Sequence, residues 1–259
     1  MRLNLSVKNI YAILLLCVLN LISCLSCSTT KSNKKLKPIL PVDSFIKFDF
    51  TINIKNTEIP LDSGQCSGFS IKTDSTGTYG LTNFHCLGGS SLIELADQPF
   101  EKEVKLKIHL SDDTYHPAII IKTDEFNDLA LFFVKNIFIS SIPIMNTELP
   151  VGSHIWNFGI PFGWTDYRHN NPTIPIQKGI YNGIMTSYNN RTLEVFTLKI
   201  APGSSGSPVV TWNSDTKQYE LYSVIHTMYM LGENLGPIAY DELAFGCGHR
   251  ALVDFIKGY

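Results

Sequence analysis

The chain reads as an all-β protein of short antiparallel strands that ends in one short helix, and three observations carry that reading. Phe48, Phe50, Ile52 and Ile54 alternate with Asp49, Thr51 and Asn53, while Val104, Leu106, Ile108 and Leu110 alternate with Lys105, Lys107 and His109. A period of two is that of a strand with one face buried. Glycine and proline recur at Pro60, Gly77, Gly88, Gly89, Pro150, Gly163 and Pro202, the punctuation that short strands joined by frequent turns require. Only residues 251–257, Ala-Leu-Val-Asp-Phe-Ile-Lys, space their apolar side chains like a helix.

Length and charge bound the partners. With 259 residues and 44% hydrophobic content the chain can bury a substantial core. A net charge of −2 leaves no basic footprint, so no nucleic-acid partner is expected. His109, His116, His154, His169 and His249 are scattered without metal-ligand spacing, so neither a metal nor another cofactor is expected.

The N-terminus reads as a targeting segment. Arg2 and Lys8 precede an apolar run over 10–22 that is short for a membrane span and is interrupted by Asn20. Leu21-Ile22-Ser23-Cys24 then resembles a lipobox, which implies a lipid on Cys24; a cleaved signal peptide or an uncleaved anchor is the other reading. Either way the protein is expected to be exported and, through a lipid or signal anchor, to meet a membrane. The organisation that follows is a signal segment over 1–24, a flexible tether rich in Ser, Thr, Asn and Lys over 25–42, and one domain over 43–259.

Chemistry concentrates in three segments. Gly203-Ser204-Ser205-Gly206-Ser207-Pro208 surrounds Ser205 with small residues. The backbone can fold tightly there and leave the N–H groups of Gly203 and Ser205 to face an oxyanion. A serine hydroxyl needs a base and an orienting carboxylate to act as a nucleophile. Thr82-Asn83-Phe84-His85-Cys86 and Asp128-Leu129-Ala130-Leu131 offer His85 and Asp128. Asp124 is the rival carboxylate, in a loop-like setting.

Their order, His85 then Asp128 then Ser205, resembles that of the trypsin-like, chymotrypsin-fold serine proteases over roughly residues 45–257. Residues 200–208, Ile-Ala-Pro-Gly-Ser-Ser-Gly-Ser-Pro, resemble the nucleophile loop of bacterial HtrA-type proteases and glutamyl endopeptidases. Residues 159–163 resemble a turn of their second barrel, and residues 110–113, Ala118 and 128–131 the strands around the aspartate. The resemblance implies two antiparallel six-stranded β-barrels with a short C-terminal helix, the site between them, and a peptidase working through His85, Asp128 and Ser205 on a polypeptide substrate. It also implies a Cys66–Cys86 disulfide behind the histidine, with Cys247 a small core residue. Digestive relatives carry an aspartate before the nucleophile where this chain has Ser204, so activation by a new N-terminus is not expected. A catalytically silent binding module and an esterase are the alternatives.

Specificity stays open between an acidic and a small or apolar P1 residue. Val224-Ile225-His226 resembles the segment in which glutamyl endopeptidases read a carboxylate with a histidine, which makes His226 a candidate. Those enzymes carry Thr or Ser where this chain has Ile200, and Lys199 could supply positive charge at the pocket base. The segment 164–175 is expected to be a loop near the cleft.

Overall fold

The computed structural model of the chain describes residues 39–88, 101–109, 114–160, 174–231 and 238–259, without the side chains of 227–231 and 238–242. The expectations for Cys24, for the signal segment and nearly all of the tether, for residues 110–113 and for most of the 164–175 loop lie outside the described residues.

The alternating runs fold as strands. β1 (Phe45–Ile54), β2 (Pro60–Asp74), β3 (Gly77–Thr82), β4 (Lys102–His109), β5 (Tyr115–Asp124) and β6 (Leu129–Lys135) close into a barrel in the order β1-β2-β3-β6-β5-β4. β7 (His154–Phe158), β8 (Ile176–Thr186), β9 (Thr192–Thr197), β10 (Pro208–Asn213), β11 (Gln218–Leu231) and β12 (Ile238–Cys247) close a second, in the order β10-β11-β12-β9-β8-β7. In the first, Phe48 pairs with Cys66 on one side and Ile108 on the other. The expected alternation along β1 holds to Ile52. Beyond it Asn53 is buried and Ile54 half-buried, where the register against β2 shifts and leaves Leu61 of that strand unpaired.

Three apolar clusters result. Ile46, Phe48, Ile108 and Phe132 fill the first barrel, and Ile155, Phe196, Val209 and Tyr222 the second. The third takes Phe69, Leu81 and Leu131 from the first barrel, Phe158, Val210 and Leu221 from the second, and Leu252 and Phe255 from the terminal helix. Each such side chain contributes about 1.5–3 kcal/mol when fully buried, so the seam between the barrels is itself a core.

That helix, α1 (His249–Ile256), starts two residues before the expected run. It buries Leu252, Phe255 and Ile256, and Lys122 of β5 donates from Nζ to the Phe255 carbonyl at 2.7 Å. A lysine on the last turn satisfies an orphan carbonyl and complements the helix dipole. Among the described residues no helix is long and apolar enough to cross a membrane.

The expected disulfide is present, joining Cys66 of β2 to Cys86 in a single 3-10 turn, His85–Leu87, with Cα atoms 5.8 Å apart. It closes a loop of 20 residues and ties the backbone that carries His85 to the barrel wall. Cys247 is free and buried, with Ser223 Oγ 3.8 Å from its sulfur. Replacing both Cys66 and Cys86 by serine should lower the unfolding free energy by about 3 kcal/mol, the chain-entropy value for a loop of this length, as read from urea denaturation of the oxidised protein.

Candidate active site

Asp128 ends the turn between β5 and β6 in a left-handed conformation, φ 56°. Few residues other than glycine adopt it, and aspartate is among those that tolerate it. The turn is held from behind by Asn83, whose Nδ2 donates to the Asp128 carbonyl at 2.9 Å. The carboxylate thereby faces the 3-10 turn of His85. Asp128 Oδ1 accepts the His85 main-chain N–H at 2.8 Å, and Oδ2 accepts from His85 Nδ1 at 2.7 Å. A carboxylate only accepts, so His85 donates from Nδ1, and in the neutral ring the lone pair is then the one at Nε2. Asp124, the rival carboxylate, accepts instead from Asn127 N and Nδ2 in its own turn.

A second imidazole reaches the same oxygen. His226, on β11, donates from Nδ1 to Asp128 Oδ2, and its Nε2 faces Arg191 Nη2. The two imidazoles meet edge to face with ring centres 5.8 Å apart. Burial by itself would raise the Asp128 carboxyl; hydrogen bonds from His226 and then His85 outweigh it and hold the group well below the usual carboxylate range.

Ser205 lies on a turn between β9 and β10 that two left-handed glycines make possible, Gly203 at φ 93° and Gly206 at φ 81°. A Cβ at Gly206 would stand 2.0 Å from the Ser67 carbonyl, so the turn presses directly on β2 of the first barrel. Ser67 N–H donates to the Ser205 carbonyl at 2.9 Å, and Ser67 Oγ donates to the Gly203 carbonyl at 2.9 Å. Among the described residues neither Gly203 N–H nor Ser205 N–H has an acceptor. Ser205 Oγ rests on the His226 carbonyl at 3.4 Å, while His85 Nε2 lies 3.8 Å from Cys86 Sγ. Ser205, His85 and Asp128 therefore gather around one residue, His226, whose main chain takes the hydroxyl and whose ring takes the carboxylate.

Of the candidate specificity residues, His226 has both ring nitrogens engaged by Asp128 and Arg191. Ile200 is buried at 8% exposure within the second barrel's core beside Val209 and Ile225. Lys199 is exposed near Gln177 and Lys178, at the edge of β8. Donor atoms of His85, Asp128 and His226 lie within 4.8 Å of one another, close enough to ligate a cation. Their hydrogen bonding opposes it, since both Nδ1 atoms carry protons directed at Asp128 and a metal ligand must offer a lone pair.

Two residues that position the site left little trace in the sequence. Ser67 stands next to Cys66 without a motif of its own, and Arg191 sits inside Asn190-Arg191-Thr192, whose only pattern is that of a glycosylation acceptor.

Comparison with known proteins places this geometry. Among curated proteins none matches the chain in sequence. The inactive form of the Rv3671c protease superposes with a TM-score of 0.55 over 83% of this chain and 88% of that one, at 13% identity. An inactive serine-to-alanine mutant of Rv3671c from M. tuberculosis H37Rv gives a TM-score of 0.53 over 83% and 85%, also at 13% identity. At such identity the likeness is one of fold, that of a chymotrypsin-like serine protease. The family model for the trypsin-like peptidase domain matches residues 66–216, a span holding His85, Asp128 and Ser205 and more than half of the sequence, and the chain belongs to that family.

Proposed function

We propose that the protein is an exported serine endopeptidase that cleaves peptide bonds through an acyl-enzyme on Ser205, with His85 as general base and then general acid, and Asp128 as the group that fixes the His85 tautomer. The observation that carries this reading is the pair of hydrogen bonds from His85 to Asp128, at 2.8 and 2.7 Å, which puts the neutral ring's lone pair at Nε2. The amides of Gly203 and Ser205 support it, since two N–H groups free of acceptors are what an oxyanion needs.

Activation by a new N-terminus has no counterpart here. Ser204, where a pairing aspartate would stand, is buried and closes the turn on itself: its N–H donates to the Ala201 carbonyl at 2.9 Å, and its Oγ accepts the Ala201 N–H at 3.3 Å. The loop is therefore held without an ion pair. At P1 the reading favours a small or apolar side chain, because Ile200 is apolar and His226 is engaged elsewhere. Export rests on the sequence of residues 1–24, with Cys24 the lipidated residue.

A protease-fold binding module is the second reading, and the contact that favours it is Ser205 Oγ on the His226 carbonyl rather than on His85. A fluorophosphonate probe separates the two. Labelling at Ser205 is expected, and it should vanish in Ser205→Ala together with peptide cleavage; a wild-type protein that refuses the probe would establish the binding module. Asp128→Asn should keep the fold and lower turnover about 10⁴-fold through the wrong tautomer of His85.

Acid stability follows from the same carboxylate. The Asp128 carboxyl is lowered on folding, so its stabilisation is complete above the unfolded value near 3.9 and is lost as pH falls below it. Urea titrations of the wild type at decreasing pH should show this loss, and Asp128→Asn should flatten the acid limb.

A further inference from the structure

Arg191 enters the site from the β8–β9 hairpin, where its main-chain N–H is held by Ser187 Oγ at 3.1 Å and its carbonyl accepts the Ser187 N–H at 2.9 Å. The side chain is half-buried, its Nε is enclosed without a hydrogen-bond partner, and its Nη2 meets His226 Nε2. Burying a guanidinium nitrogen unpaired is costly, and the group finds its partner at the other end of the fork, on His226.

We infer that Arg191 and His226 form a positioning relay: the donor-only guanidinium fixes the neutral Nδ1–H tautomer of His226, and that ring delivers an N–H to Asp128 Oδ2 from the second barrel. The inference rests on the role given above to Asp128. A guanidinium has five N–H donors and no acceptor. Its contact with His226 Nε2 is a hydrogen bond only where that nitrogen holds a lone pair, and the ring's proton then sits on Nδ1, facing the carboxylate. A ring protonated on both nitrogens has no acceptor to offer Arg191. The opposite neutral tautomer sets an N–H against the guanidinium and a lone pair against Asp128. Of the three ring states, one satisfies both neighbours.

The consequence reaches the nucleophile through one residue. His226 holds Asp128 by its ring and Ser205 Oγ by its carbonyl, so a ring that turns away releases the orienting carboxylate on its second-barrel side and loosens the main chain under the hydroxyl. Arg191 and His226 act through Asp128, His85 and Ser205, and are positioning residues rather than catalytic ones.

The experiment reads tautomer and kinetics separately. Ring nitrogen NMR on the histidine-labelled full-length Ser205→Ala protein, which needs no activity, should find His226 as the neutral Nδ1–H form. Arg191→Met should mix the tautomers, and Arg191→Lys, which keeps a charged donor, should restore them. On a peptide substrate, with Ser205 intact, Arg191→Met should lower kcat about tenfold with KM within about twofold, the order of one charge-assisted hydrogen bond, and Arg191→Lys should recover most of it. The relay is overturned by a wild-type His226 in the Nε2–H form, by an Arg191→Met protein with unchanged tautomer and kcat, or by equal loss in the lysine variant. A protein inert to substrate and probe sinks the peptidase reading instead, and the relay is then decided by the tautomer in Ser205→Ala alone, whichever Arg191 variants fold.

Discussion

The fold is organised around one buried negative charge. Asp128 is 5% exposed, and a carboxylate withdrawn from water is tolerable only when its oxygens are matched by donors. Three N–H groups supply the match: two from His85 on the first barrel and one from His226 on the second. They arrive from a 3-10 turn of the first barrel and from a strand of the second. The left-handed backbone at Asp128 and the Asn83 bond to its carbonyl are the local cost of turning the side chain into that gap. The disulfide secures the turn that carries His85, so the covalent bond and the carboxylate hold the same imidazole from two directions.

A complementary constraint sits at the nucleophile turn. Ser67 gives its N–H to the Ser205 carbonyl, its hydroxyl to the Gly203 carbonyl and its own carbonyl to Thr82 Oγ1 at 2.8 Å. Gly206 must be glycine twice over, since its φ is positive and a side chain would collide with the Ser67 carbonyl. The turn of the second barrel is thus shaped by a strand of the first. Seam packing by Phe69, Leu131, Phe158 and Leu221 supplies the apolar force that keeps the two surfaces together.

What could be read from the sequence follows the range of the interactions. Strand periodicity, turn glycines and the terminal helix are local, and the alternation in β4 or the spacing over 251–257 shows directly in the chain. His85, Asp128 and Ser205 can be singled out as candidates because each sits in a short segment of distinctive composition. The tether of Asp128 to His226 spans 98 residues, that of Ser67 to Gly203 spans 136, and the Arg191 contact spans 35; no periodicity encodes such pairs. His226 illustrates the difference. Its segment resembled one that reads substrate carboxylates, yet the ring turns to a carboxylate of its own chain, and the deciding partner, Arg191, comes from a hairpin with no motif. Ile200, beyond the end of β9, packs into the second barrel's core beside Val209 and Ile225.

The resting position of Ser205 fits the peptidase reading better than it first suggests. A hydroxyl bond of 3.4 Å to the His226 carbonyl is at the weak end of the geometric range, and a neutral hydrogen bond of ordinary geometry contributes only about 1 kcal/mol net. Rotating Oγ away therefore costs little against a barrier that oriented acid–base and oxyanion contacts lower by several kcal/mol. By contrast the His85–Asp128 pair is joined by two hydrogen bonds to a buried carboxylate, so rearranging it would cost far more than turning the Ser205 hydroxyl.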